Sequence, residues 1–204
     1  MRLFDTGALE WLSRVHPLTP ALLWTPLVAW LAWRSLAVHH LHGGVVALLA
    51  AAGLLVWSFT EYAVHRYLFH LSGTSPGRRR LQFIVHGVHH ANPDDPTRLL
   101  MPPAATLAAV APVYALFCAV LGPAWVEPFF ASFLAGYLAY DYTHFAIHHR
   151  APRTRLARYL RRRHMLHHFV TPHARWGVTS PLWDWIFHTA GERPLPRSRT
   201  RLAA

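Results

Sequence analysis

The sequence predicts an all-α integral membrane protein with four transmembrane helices, on three observations. Apolar residues make up 53% of its 204 residues and charged residues only 14%, well under the roughly 25% of a soluble domain. Four apolar segments reach or approach the roughly 20 residues that cross a bilayer as a helix. Ten of the 17 histidines fall in four short clusters, each at or just beyond the end of an apolar stretch.

The expected spans cover residues 18–38, 44–63, 104–122 and 125–142. The first lacks an arginine-rich start followed by a small-residue cleavage site, so it reads as a retained span and not a signal peptide. The four pair into two hairpins through tight turns at 38–44 and 122–125. Pro26, Pro112 and Pro128 lie within them, where membrane helices tolerate proline. Cys118 is the only cysteine, which rules out an internal disulfide and suits a buried small hydrophobe. The chain is read as a single membrane-embedded domain over 1–204.

Charge sets the expected orientation. All twenty basic residues are arginine, and the net charge is +11. Arg2 and Arg14 precede the first span, Arg66, Arg78, Arg79, Arg80 and Arg98 lie between the second and third, and twelve more follow the fourth. Arg34, near the far end of the first span, is expected to snorkel to the interface. By the positive-inside rule, both termini and the central loop are cytoplasmic. Topology and anionic headgroups then account for the arginines, which argues against a nucleic-acid partner. The run 150–163 spaces Leu156, Tyr159 and Leu160 among its arginines at helical intervals, as in a helix lying on the inner leaflet.

All ten clustered histidines fall on that cytoplasmic side. They are His65 and His70; His86, His89 and His90; His144 and His148; and His164, His167 and His168. Ten imidazoles exceed what one tetrahedral zinc could use, so the sequence points to two metals. The two triplets stand at i, i+3, i+4 and each shares a helix face, whereas His144 and His148 are one turn apart. His65 and His70 are five apart, roughly 140° around a regular helix. They must serve different metals, or the helix must unwind between them. Neutral imidazole suits iron, zinc, copper and nickel, and a ligating histidine usually donates its other N–H to a carboxylate or carbonyl. Glu61, one turn before His65, and Asp141, three positions before His144, are candidates for that support. Acidic residues in or beside a span invite a functional reason. The remaining histidines are left out: His39, His40 and His42 as turn residues on the opposite side, His149 because it points about 100° from its neighbour, and His16, His173 and His188 as isolated.

In order, the clusters read H-x4-H, H-x2-H-H, H-x3-H and H-x2-H-H, and they resemble the fatty acid hydroxylase/sterol desaturase superfamily of integral membrane dimetal oxygenases. The flanking stretches WSFTEYAVHRYLFH, HHANPDDPTRLLMPP, YDYTHFAIHH and HMLHHF with WGVTSPLWD look like its fatty acid 2-hydroxylase branch. The match covers about 57–189. The resemblance implies that all ten histidines ligate metal and that a cytosolic helical cap holds the dimetal site over four transmembrane helices. We expect His65, His86, His89, His164 and His167 near one metal and His70, His90, His144, His148 and His168 near the other. It also implies two iron ions, with zinc as a form met on isolation, and O2 as co-substrate acting on a lipid or fatty-acyl chain. No fused cytochrome b5 domain is read in the sequence, so a separate donor is expected: a cytochrome b5-like protein, a ferredoxin or a reductase. Arg98 and Tyr140 are candidate substrate-side residues, or equally packing groups.

Two other readings compete. A sterol, carotenoid or other lipid desaturase or hydroxylase would keep the fold and metals, but the PDDPTRLLMPP stretch favours acyl 2-hydroxylation. A metal transporter or metal-binding protein would carry polar groups along a path at mid-membrane depth, whereas these span centres are almost wholly apolar.

Overall fold

A computed structural model describes residues 2–71 and 73–191. Among them there are helices and no strands. Four of the twelve arginines after the fourth span, Arg193, Arg197, Arg199 and Arg201, lie outside the described residues, as does the C-terminus.

The order is α1 (Gly7–Leu12), α2 (Thr19–Ala37), α3 (Gly43–Ala63), α4 (Pro76–Gln82), α5 (Val88–Ala91), α6 (Pro103–Leu121), α7 (Pro123–His149), α8 (Arg155–Phe169) and α9 (Leu182–Ile186). The long helices α2, α3, α6 and α7 fall on the four expected apolar segments. Two of these are long and apolar enough to cross a membrane: α3 with its extension, Gly43–Phe69, and α6, Pro103–Leu121. Their apolar side chains are mostly not buried inside the protein, so they need an apolar surrounding, which a bilayer supplies and water does not. The chain is accordingly a membrane protein.

The longest helix, α7, is the central one. Its buried Phe130, Phe133, Leu134 and Tyr137 form the core with Trp24 and Leu31 of α2. Ring contacts set the helix directions. Gly53 of α3 packs on Phe129 of α7, and Trp57, one turn further along α3, meets Phe133 and Tyr137, so α3 runs parallel to α7. Phe117 near the end of α6 meets Phe129 near the start of α7, so these two are antiparallel. Tyr142, late in α7, donates to the Pro17 carbonyl just before α2, while Arg34, late in α2, pairs with Glu127, early in α7, at 2.9 Å. One end of the bundle therefore gathers the start of α2 and the ends of α3 and α7. That end carries the histidines.

Arg34 has a partner within the protein. Its guanidinium meets the buried Glu127 carboxylate, which His39 also approaches at 3.2 Å. The pairing locks the α2–α3 hairpin onto α7. Turn residue His42 caps α3, its Nδ1 accepting from the Gly44 N–H at 3.1 Å.

Small residues let α3 and α7 approach closely, the usual device where lipid gives no hydrophobic push between helices. A Cβ on Gly53 would lie 2.1 Å from the Phe129 carbonyl oxygen, and one on Gly136 would lie 2.5 Å from the Trp57 ring. Gly53→Val is therefore expected to push α3 off α7 and cost about 1–3 kcal/mol or more. A lowered unfolding temperature in detergent would show it, and an unchanged one would contradict the close packing.

Candidate metal centre

Local helix geometry brings the histidines together. Beyond Ala63, α3 widens into a π-helical stretch, Val64–Phe69, and the His70 N–H reaches the His65 carbonyl at 3.2 Å. An i→i+5 turn puts residues five apart on one face, which removes the 140° conflict of a regular helix. The helix unwinds as one of the two expected alternatives required. A second π-helical stretch, Phe83–Gly87, carries His86 and runs into α5 with His89 and His90. Thr154 caps α8, its hydroxyl accepting from the Ala157 N–H, and α8 then carries His164, His167 and His168.

The ten rings form two adjoining groups. His65, His70, His86, His90 and His167 make one, and His89, His144, His148, His164 and His168 make the other, with ligand atoms in each group within 4.8 Å of one another. Each group could hold a metal ion. The division differs from the expected one: His70 and His90 change places with His89 and His164. In each H-x2-H-H motif the first and last residues stay together and the middle one crosses over. Positions i and i+4 differ by about 40° around a helix, whereas i+3 falls about 60° to the other side of i. The triplets thus bridge the two groups, and the stacked rings of His90 and His168, 4.0 Å apart, mark the seam. None of the other seven histidines belongs to either group.

The donor chemistry fits metal ions. The Nε2 atom of His164 lies 2.9 Å from the Nε2 atoms of His144, His148 and His168 alike. In the other group, Nε2 contacts of 3.1 Å join His86 to His90 and His70 to His167. A neutral imidazole carries one proton, so four converging Nε2 atoms cannot satisfy one another, whereas a shared cation satisfies all of them. The tautomers agree. His65 donates from Nδ1 to the Trp176 carbonyl at 2.5 Å, and His167 from Nδ1 to the Ala174 carbonyl at 2.8 Å. Their Nε2 lone pairs are left facing inward, and that of His65 is buried with no hydrogen-bond partner among the described residues. Burial first, then the neighbouring histidines, pushes His86, His89 and His164 far below the ordinary imidazole range, and His90 down to about 3. These rings are neutral at physiological pH, the ligating form.

The expected supporting residues act less directly. Glu61 accepts no hydrogen bond from a histidine among the described residues. It is buried and accepts from the N–H groups of Val178 and Thr179 at 2.7 and 2.8 Å and from the Thr179 hydroxyl. It anchors the loop that brings the Trp176 carbonyl to His65. Asp141 is buried on α7, and its Oδ2 has no hydrogen-bond partner among the described residues. Arg98 is committed elsewhere: its guanidinium binds Ser13 and the Glu10 carboxylate, tying α1 to the loop after α5. Tyr140 lies against His144, with ring centroids 5.7 Å apart, at the apolar edge of the site.

The loop over 171–181 carries a role that residue spacing does not reveal. Trp176 packs its ring against His70 at 4.8 Å and His167 at 5.3 Å. Asp184, wholly buried, holds this loop by accepting from the Trp176 and Gly177 N–H groups and from Arg163 at 2.8 Å. The contribution is made by backbone carbonyls, which any residue type carries, so only the order WGVTSPLWD could have signalled it. Asp184→Asn strips the buried Arg163 of its counter-charge and is expected to cost about 3–5 kcal/mol. Thermal unfolding of the purified variant measures this, and an unshifted transition would contradict the role given to Asp184.

An all-helical membrane protein with two adjoining five-histidine sites at one end of its bundle is the class defined by this fold and geometry. Comparison with known proteins narrows it. A model of the fatty acid hydroxylase family matches residues 50–189, and the chain belongs to that family. It is 34% identical to the dihydroceramide fatty acyl 2-hydroxylase FAH2 of Arabidopsis thaliana over 92% of this chain and 79% of that one. It is 32% identical to the fatty acid 2-hydroxylase of Rattus norvegicus over 93% of its own length and 56% of the rat protein. The visible hydroxylase domain of full-length scs7p superimposes with a TM-score of 0.84 at 34% identity, covering 91% of this chain and 70% of that one.

Proposed function

We propose that this protein is a membrane lipid hydroxylase that inserts one oxygen atom at position 2 of an acyl chain. The carrying observation is the pair of groups in which neutral imidazole Nε2 atoms converge without enough protons to satisfy one another. Membership of the fatty acid hydroxylase family and the names of the 2-hydroxylase relatives support the reaction. The reaction converts an acyl chain, O2, two electrons and two protons to the 2-hydroxyacyl product and water. Two iron ions, when bound, would supply the O2 activation that an unactivated C–H bond requires.

The chain's own residues do the rest. All ten clustered histidines are proposed ligands, with His65, His70, His86, His90 and His167 around one metal and His89, His144, His148, His164 and His168 around the other. The carbonyls of Trp176 and Ala174 fix the tautomers of His65 and His167, and Glu61 and Asp184 hold the loop that bears those carbonyls. Outer contacts of this kind commonly change metal affinity 10–100-fold. Tyr140 lines the edge at which an acyl chain would arrive from the bilayer. The electrons come from a separate donor protein.

We further propose that α2 and α7 cross the membrane with α3 and α6. Each has the length, and Arg34 of α2 and Glu127 of α7 neutralise one another inside the bundle. Both termini and a cap formed by α4, α5, α8 and α9 then lie on the arginine-rich, cytoplasmic side. Lipid mass spectrometry of host cells with and without the gene tests the reaction: a gain of 2-hydroxyacyl lipids is expected, and an unchanged lipid profile would contradict it.

A further inference from the structure

A second site lies outside the metal centre. Where α8 diverges from the end of α7, Ala139, Ala146 and Ile147 of α7 face Leu156, Ala157 and Leu160 of α8 across a groove of about 880 Å³. The groove carries Arg150, Arg153 and Arg161, and among the described residues no aspartate or glutamate lines it. We infer that this groove binds an anionic phospholipid, with an acyl chain between the apolar walls and the phosphate on the three arginines.

Charge and depth both favour a phospholipid. Guanidinium groups gathered without a carboxylate repel one another, and a phosphate relieves the repulsion while accepting charge-assisted hydrogen bonds. Arg161 reaches back to the turn, donating to the Arg150 carbonyl at 2.7 Å, which holds its guanidinium at the cationic end of the groove. From Ala139 to Arg150 the groove follows roughly 16 Å of helix at 1.5 Å per residue. Its apolar end lies where α7 is proposed to sit within the bilayer, and its cationic end lies at the headgroups. A lipid has that polarity over that span, whereas a free anion would leave the apolar walls uncovered.

The groove is not the substrate's route to the metals. Ala139, Ala146 and Arg150 share a face of α7 about 150° around the axis from His144 and His148, and no clustered histidine lines it. The bound lipid would instead wedge α8, with its three ligating histidines, at a fixed angle to α7. This inference goes beyond the hydroxylase reading and uses only the proposed crossing of α7.

Native mass spectrometry of the full metal-loaded chain in detergent tests it, with phosphatidylglycerol, phosphatidylcholine and inorganic phosphate as separate probes. One phosphatidylglycerol per chain is expected, held in preference to phosphatidylcholine and not displaced by phosphate. The double variant Arg150→Gln, Arg153→Gln is expected to weaken binding about tenfold or more, since each arginine near a lipid surface contributes about 1 kcal/mol. Ala146→Phe, or Ala157→Leu from the other wall, fills the groove without altering charge and should weaken it as well. Arg158→Gln, on α8 but outside the groove, should leave it unchanged. Equal retention of the two lipids, intact binding in both filled variants, displacement by phosphate, or an equal loss in Arg158→Gln would each overturn the inference. Metal content, measured on the same samples, reports separately on the histidine site.

Discussion

His164→Ala is expected to abolish 2-hydroxyacyl product and to lower the metal content from two ions per chain to one. His164 is the hub of its group, with three other Nε2 atoms 2.9 Å away, so no neighbouring ring can take over its position. The corresponding change on the other side, His86→Ala, should remove the other ion, because His86 belongs to the adjoining group. Elemental analysis of each purified variant, alongside lipid mass spectrometry of cells expressing it, reads both effects. Loss of both ions from each single variant would show one shared cluster instead of two sites. A variant with full product would contradict the ligand assignment.

Stripping the metals should destabilise the whole cap. Ten imidazoles are drawn from the end of α3, the segment through α5, the end of α7 and α8, and without cations their lone pairs face one another across each group. A ligand present at 1,000 times its Kd stabilises a fold by about 4 kcal/mol per site. Chelation is therefore expected to produce a large fall in unfolding temperature, reversed by adding Fe(II). Hydrogen exchange should rise most in α5, α8 and the loop after α8, and least in the α3–α7 interface, whose packing does not depend on metal. Uniform loosening, or no change in unfolding temperature, would contradict a metal-organised cap.

Much of this was legible in the sequence because the signals were one-dimensional. Apolar segment lengths located the four long helices to within a residue or two, apart from the end of α7. That helix continues to His149 because nothing between Tyr142 and Arg150 breaks it, and Pro152 stands just beyond. Spacing also picked out the ten histidines that the fold gathers. What spacing could not give was their division. The π-helical turn between His65 and His70 depends on a carbonyl choosing a partner five residues on in place of four, and the H-x2-H-H triplets split between groups because packing sets each of their helices along the seam. Arg34 read as an interfacial residue because its partner, Glu127, is distant in sequence. Arg98 looked available for substrate for the same reason, its partners Glu10 and Ser13 lying 88 and 85 residues earlier.

The regular helices and the metal centre thus carry different kinds of information. Helices α3 and α6 are apolar along their whole lengths and declare themselves. Helices α2 and α7 carry Arg34, Glu127 and Asp141, which lower their apolarity and make sense only once the bundle is assembled. The loop around Trp176 is the furthest from sequence reading, since it acts through backbone carbonyls positioned by Glu61 and Asp184.

The most direct test of the central claim is to supply isotopically heavy O2 to cells expressing the wild-type chain and locate the label in their lipids by fragmentation. One heavy oxygen is expected on carbon 2 of the acyl chain, absent when His164 or His86 is replaced by alanine. Label at another carbon, a new double bond without added oxygen, or labelled product surviving in both variants would contradict it.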